Sequence, residues 1–218
     1  MPYTGEVTVG GPVDVRELPG LTITKVATPP FENNCYLLRC TATGETLLVD
    51  AAGDAPRLLE LVGDGRLTTV VETHGHWDHV QALEEVVAAT DAKVKAHPQD
   101  AGDLPVPVDD LLSDGDTVTV GDVTLNVIHL QGHTPGSVAL LYDADPENPH
   151  LWSGDSLFPG GPGNTNKDAA RFTQLMDDLE QKVFGPLPDA TWVYPGHGKD
   201  TTLGAERPSL PEWRERGW

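Results

Sequence analysis

Positive charge is scarce in this sequence. Fourteen lysines and arginines stand against 34 aspartates and glutamates, a formal net charge of −20 and a pI near 4.5. A protein that grips a nucleic-acid backbone needs a basic stripe, so nucleic acid is not an expected partner, and an anionic membrane surface is disfavoured for the same reason. The acidic balance reads as a solvated, self-repelling surface. Cysteine is nearly absent. Cys35 and Cys40 lie in one strand-like stretch, 34–40, which at roughly 3.3 Å per residue holds them about 16 Å apart, too far to be bridged. Long apolar runs are missing too: nothing approaches the roughly 18 residues of a membrane-spanning helix, and the opening MPYTGEVTVG has no charged-then-apolar leader. The expected setting is the reducing cytoplasm, with neither secretion nor membrane insertion.

What is present is patterned. The apolar residues, 38% of the chain, fall in strand-sized and helix-sized clusters rather than being diluted as in a disordered segment. The 218 residues suffice for one sizeable core. We read 1–20, rich in glycine and proline and without periodicity, as an N-terminal arm, and 21–218 as a single domain.

Short β-like runs at 21–28, 34–39 and 46–50, with a Thr43-Gly44 turn between the last two, predict an antiparallel sheet. Asp54 is placed to cap a helix running through Val62, with Pro56 tolerated in its first turn. A strand over 67–73 leads into His74. Asp78 is then expected to open an amphipathic helix on which Val80, Leu83, Val86 and Val87 share a face, and a strand over 92–96 closes this half. The second half has strands over 117–120, 123–130, 137–142 and 151–153. After them, Phe172, Leu175, Met176, Leu179 and Val183 recur at helical spacing, and a last strand covers 191–194. The class is α/β, with two sheets packed face to face and helices outside.

Of eight histidines, three fall within His74-Gly75-His76-Trp77-Asp78-His79, where a strand ends. Imidazole nitrogens and carboxylates are ligands for zinc and other first-row metals, and a strand-end turn lets neighbouring side chains converge rather than alternate. Three further segments share the form of a β-like run ending in a small-residue turn that carries a ligand type. They are Gly132-His133-Thr134-Pro135-Gly136, Ser153-Gly154-Asp155 and Tyr194-Pro195-Gly196-His197-Gly198. Together these loops offer five histidines and two aspartates, too many for one tetrahedral ion and suited to two ions that share a bridge.

The segments HGHWDH, GHTPGS, SGDSLF and PGHG, in this order and over roughly 21–207, resemble the metallo-β-lactamase superfamily and, within it, the short, single-domain glyoxalase II-like branch. The resemblance implies a four-layer αββα sandwich with its metals at one edge between the sheets. It implies His74, His76 and His133 on one ion, Asp78, His79 and His197 on the other, and Asp155 with a water or hydroxide between them, so that Asp78 and Asp155 also serve catalysis. Asp50, ending the strand 47–50, resembles the family's aspartate behind the ligands, which accepts the second N–H of a ligand imidazole. Two divalent ions are expected as cofactors, zinc first, with iron or manganese as alternatives.

A water shared by two cations loses a proton near neutral pH, and the hydroxide can attack a carbonyl carbon while one cation steadies the oxyanion. A thiolate, with a thiol pKa near 8.5, then leaves without an acid. The activity implied is hydrolysis of a small-molecule thioester such as S-lactoylglutathione. An iron-dependent persulfide dioxygenase using His74, His133 and Asp155 is the alternative, and a lactone or other ester hydrolase a further one. Two departures from the longer glyoxalase II enzymes bear on the thiol. Those enzymes continue into a helical domain where here about twenty residues follow His197, and they carry a glutathione-binding lysine where this chain has Asn164. Asn164, Lys167, Arg171, Lys199 and Arg207 are the candidate substrate contacts, and the glycine-rich stretch 159–166 is expected to border the pocket. Glutathione, mycothiol and coenzyme A all remain open as the thiol, as does the oligomeric state. His97, His129 and His150 match no ligand motif and are expected to be structural.

Overall fold

Strands alternating apolar residues on both faces must be covered on both sides, and the chain does this with two sheets. In the computed structural model, which describes residues 2–217, the first sheet has seven strands in chain order. They are β1 (Asp14–Leu18), β2 (Leu21–Thr28), β3 (Asn33–Cys40), β4 (Glu45–Val49), β5 (Arg66–Val71), β6 (Lys93–Ala96) and β7 (Asp110–Leu111). The first four pair antiparallel, and β4 to β7 pair parallel. Helices α1 (Ala55–Val62) and α2 (Leu83–Thr90) make the crossovers between β4, β5 and β6.

The second sheet is built from β8 (Thr117–Val120), β9 (Val123–His129), β10 (Val138–Tyr142) and β11 (His150–Gly154), which pair antiparallel in sequence order. A two-strand hairpin, β12 (Leu157–Phe158) and β13 (Gly161–Pro162), follows. Helix α3 (Ala169–Asp178) continues through a π-helical stretch, Leu179–Phe184, and the chain returns as β14 (Trp192–Pro195), parallel to β11 and antiparallel to β15 (Thr201–Thr202). Short helices α4 (Leu203–Glu206) and α5 (Leu210–Arg216) close the described chain.

Side-chain alternation explains the four layers. Leu38, Leu47, Val49 and Val71 face Leu125, Val127, Leu140, Trp152 and Tyr194 in a core between the sheets. Their neighbours Leu37, Leu48 and Val70 turn the other way, onto Leu58 and Val62 of α1 and Leu83 and Val86 of α2. Leu141, Leu151 and Val193 do the same on the far side, against Phe172, Leu175, Met176 and Val183. The fold is thus the αββα sandwich. Among the described residues no helix is long and apolar enough to cross a membrane. Cys35 and Cys40 are both free and buried.

Asp54 caps α1 as expected, its side chain accepting from the Arg57 amide, and Gly44, at φ +75°, lies in the turn between β3 and β4. Two local expectations are corrected, and β7 was not among the expected strands. Regular structure starts at Asp14, not near Leu21, because β1 pairs along its whole length with β2 at the sheet edge, where few of its own side chains need to be apolar. The two-residue β7 lacks any apolar pattern and forms by backbone pairing with β6. Asp78 does not open the helix: Trp77–His79 is a single 3₁₀ turn and α2 begins at Leu83. That tighter turn lets Asp78 and His79 reach the cluster described below instead of splaying around a helical cylinder.

The layers bring the ends of β5, β9, β11 and β14 to one edge of the sandwich. Backbone hydrogen bonds stitch it there: Val138 N donates to Thr73 O (2.8 Å), Gly196 N to Gly154 O (2.9 Å) and Asn34 N to Gly196 O (2.7 Å). Leu140, fully buried between the sheets, should therefore be costly to truncate. Leu140→Ala is expected to destabilise the protein by about 2–5 kcal/mol, against no more than about 0.5 kcal/mol for Leu111→Ala on the exposed edge, as read by urea unfolding.

Candidate metal centre

Hydrogen bonds on one side of four of the imidazoles fix which nitrogen is left over. His74 Nδ1 donates to Thr73 Oγ1 (3.1 Å), whose own proton goes to Asp50 Oδ2 (2.8 Å). His79 Nδ1 donates to Asp50 Oδ2 (2.9 Å), His133 Nδ1 to Asn164 O (2.8 Å) and His197 Nδ1 to Phe31 O (3.1 Å). Each of these four rings therefore presents Nε2, a consequence of acceptors placed behind it. The nitrogens crowd together. His133 Nε2 lies 2.9 Å from His76 Nδ1, and His79 Nε2 lies 3.1 Å from His197 Nε2.

Asp155, just past β11, lies between the two pairs. Its Oδ2 is 3.5 Å from both His133 Nε2 and His197 Nε2, and its Oδ1 is 3.5 Å from His79 Nε2. Asp78 Oδ2 lies 3.5 Å from His197 Nε2 and 3.8 Å from His79 Nε2. The ligand-type atoms fall into groups able to hold a metal ion: His74, His76 and His133 form one, Asp78, His79 and His197 another, and Asp50, His74 and His79 a third, each within 4.8 Å. Asp50 is already engaged by Thr73 N, Thr73 Oγ1 and His79, so it orients ligands rather than adding a free one.

The donor set fits metal ions on two observations. His74 Nε2 and Asp155 Oδ1 are buried polar atoms with no hydrogen-bond partner in the protein, an arrangement that costs about 1–3 kcal/mol per atom when nothing else satisfies it. The electrostatics also ask for positive charge. Burial pushes His74 well below the usual histidine range and His133 down to about 4, so both rings are neutral lone-pair donors at neutral pH. At His79 burial acts in the same direction, yet the Asp155 and Asp50 carboxylates beside it push the ring well above that range. Burial would raise Asp155, but the His197 and His79 imidazoles hold it well below the carboxylate range.

Glycine makes the approach possible. A Cβ on Gly196 would stand 2.1 Å from Asp155 Oδ1 and 2.9 Å from His79 Cε1, and one on Gly163 would overlap Asp155 O. The loop of His197 is clamped from the first sheet. Asn34 Nδ2 donates to Pro195 O and Gly198 O, Tyr36 Oη to Pro195 O, and Lys25 Nζ to Gly198 O.

A family model described as the metallo-beta-lactamase superfamily matches residues 28–197. The chain belongs to the metallo-beta-lactamase superfamily. It is 42% identical over 167 residues to a hydroxyacylglutathione hydrolase of Fuscovulum blasticum, a match that covers 76% of this chain and 62% of that protein. It thus spans less than two thirds of that relative's length. Among solved structures it resembles TTHA1623, determined in a di-iron-bound form, at 32% identity and a TM-score of 0.72, covering 86% of this chain and 98% of the other. It also resembles ETHE1 from Myxococcus xanthus at 29% identity and a TM-score of 0.77, covering 88% and 84%. The chain is therefore a superfamily member whose His and Asp groups are able to bind a dinuclear metal site.

The structure brings His74, His76, Asp78, His79, His133, Asp155 and His197 together, with Asp50 behind them. The candidate substrate contacts are dispersed in their use. Asn164 gives its carbonyl to His133, and its side chain accepts from Asn166 N. Arg171 donates to the carbonyls of Gly132 and His133. Lys199 pairs with Glu6 on the surface (2.7 Å). Arg207 is taken up by Asp189 and by the carbonyls of Phe184 and Leu187. Lys167 is exposed, with a left-handed backbone, just before α3. His97 stacks on His129 at 4.0 Å, and His150 lies 2.9 Å from Tyr194 Oη. Sequence reading missed Asn33, which donates to Asp78 Oδ2 (2.9 Å) from full burial. The signal was an Asn pair opening an apolar strand.

Gly196→Ala tests the crowding. The sandwich should still fold by circular dichroism, while elemental analysis after dialysis finds below about one metal per chain. Two retained metals would mean that Asp155 and His79 part without cost and that this cluster is not the metal seat.

Proposed function

We propose that this chain is a metal-dependent hydrolase of thioester bonds, of the glyoxalase II type, acting on a small thiol conjugate. One observation carries the reading: Asp155 is placed between two imidazole groups, 3.5 Å from a nitrogen of each, with lone pairs aimed by the acceptors behind the rings. His74, His76 and His133 would hold one divalent ion, Asp78, His79 and His197 a second, and Asp155 would touch both. Zinc is the metal proposed, with iron or manganese as the alternatives. Such a pair supplies Lewis acidity toward a substrate carbonyl and a water that gives up a proton near neutral pH.

The protein's own groups then have limited tasks. Asp155 and Asp78 would offer carboxylate oxygens to the ions and to a hydrogen bond from the attacking water, orienting it. Asp50 keeps His79 and, through Thr73, His74 in the tautomers that present Nε2. Hydrolysis forms a C–O bond to water oxygen and breaks the C–S bond, and the departing thiolate needs no acid because thiols ionise near pH 8.5. The Cys35 thiol has no part as a nucleophile in this reading, since burial pushes it up to about 12. The two buried free thiols agree with a reducing, cytoplasmic setting.

Purified protein is expected to contain two metals per chain and to cleave S-lactoylglutathione or another thioester without oxygen uptake. One iron per chain with oxygen uptake driven by glutathione persulfide would replace the hydrolase with a dioxygenase, and turnover of lactones but no thioester would replace the substrate class. Asp155→Ala should leave below about one metal and reduce turnover at least ~100-fold. Cys35→Ser should leave turnover unchanged, and a large loss would reveal a thiol role.

A further inference from the structure

Asp100 carries a carboxylate that the chemistry above does not use. It lies beyond β6, in the turn that begins at His97, and is 1% exposed. Among the described residues no cation pairs with it. Its three hydrogen bonds come from two loops that are distant in sequence: Gly75 N donates to Oδ2 (2.9 Å), Thr134 Oγ1 to Oδ2 (2.5 Å) and Gly136 N to Oδ1 (2.7 Å). Gly75 lies between His74 and His76, and Thr134 and Gly136 follow His133. All three residues of the first metal-binding group are therefore within a few bonds of a donor to this one carboxylate.

The surroundings are built for that contact. A Cβ on Gly136 would come 2.6 Å from Asp100 Oδ1, and one on Gly75 would come 3.1 Å from the Asp100 carbonyl oxygen. Thr134 is held in turn: its amide donates to Ser137 Oγ (3.1 Å), and the two hydroxyl oxygens are 2.6 Å apart. With the Thr134 proton committed to Asp100, Ser137 donates to Thr134, so the chain of hydrogen bonds has one direction. Asp50 stands in the same relation to His79, by direct contact, as Asp100 does to the other group, through backbone amides.

We propose that Asp100 is a positioning residue for the first metal-binding group, clasping the His74–His76 loop to the His133 loop so that the three imidazoles keep their mutual spacing. The role rests on the two-ion reading given above. Asparagine at this position keeps the volume but turns an N–H₂ toward a donor, so one of the three hydrogen bonds must break.

The test is zinc binding by Asp100→Asn, Thr134→Val and Thr134→Ser beside the unaltered protein, by competition with a chromophoric chelator that resolves two binding events, with kcat and KM for the thioester alongside. Asp100→Asn should weaken one event about 10–100-fold, leave the other within about threefold, and lower kcat more than it changes KM. Thr134→Val should weaken the same event, and Thr134→Ser, which keeps the hydroxyl, should restore it. Two unchanged events in folded Asp100→Asn, or equal weakening of both, would overturn the proposal. If Asp100→Asn fails to fold, equal zinc affinity in the two Thr134 variants overturns it. An unaltered protein that binds no zinc, iron or manganese removes the two-ion reading itself, and the role of Asp100 with it.

Discussion

Imidazole nitrogens 2.9 and 3.1 Å apart, with a carboxylate between them, are the constraint to which the rest of the structure answers. Lone pairs and negative charge at that spacing repel unless a cation or proton lies among them, and burial strengthens the repulsion. The protein holds the groups there by anchoring four of the five rings, those of His74, His79, His133 and His197, on their far side, to Thr73, Asp50, Asn164 O or Phe31 O. The anchors come from different strands and loops, so the spacing of the cluster is the spacing of the two sheets at their shared edge.

That dependence explains why the layers and the cluster are read from the same sequence signals. A strand that is apolar on both faces must be sandwiched, and it ends where a glycine turn lets a ligand side chain leave the sheet. His74, His133, Asp155 and His197 all stand just beyond such a run, so locating the strands located the ligands. Asp50 was found by its resemblance to the family's aspartate behind the ligands, not by this rule. The rule fails where a residue works through backbone amides. Asp100 binds Gly75 N, Gly136 N and one hydroxyl, and nothing in the types of residues near position 100 records which distant amides it meets. It fails again at the sheet margins, where β1 and β7 are held by ladder hydrogen bonds and carry no apolar alternation.

The cationic residues show the opposite ambiguity. Asn164, in place of the glutathione-binding lysine of the longer enzymes, left Lys167, Arg171, Lys199 and Arg207 as the candidate anchors for an anionic substrate. Guanidinium groups, however, have five donors in a rigid fork and serve equally well to gather backbone carbonyls. Arg171 does so at Gly132 and His133, and Arg207 at Phe184 and Leu187. Arg171 therefore acts on the geometry of the metal group through the carbonyl of one of its members, a use that charge counting does not distinguish from binding an anion.

Lys25 takes this further, since it is a buried cation in the middle of β2. Its Nζ meets Asp200 Oδ1 (2.6 Å), Gly5 O (2.7 Å) and Gly198 O (2.8 Å) and is fully shielded from water. Burial lowers its pKa while Asp200 opposes the shift, and an ion pair of this kind contributes little net stability over a well-packed apolar replacement. Its value lies in direction: three acceptors around one ammonium fix the carbonyl of Gly198 relative to β2. Asn34 fixes Pro195 O and Gly198 O from β3. His197 thus hangs between two clamped carbonyls, on a glycine-flanked loop that would otherwise be free to turn, and the N-terminal segment is drawn against the same ammonium through Gly5. His197, one of the three residues of the second metal-binding group, is thus held in part by a charge buried in the opposite sheet.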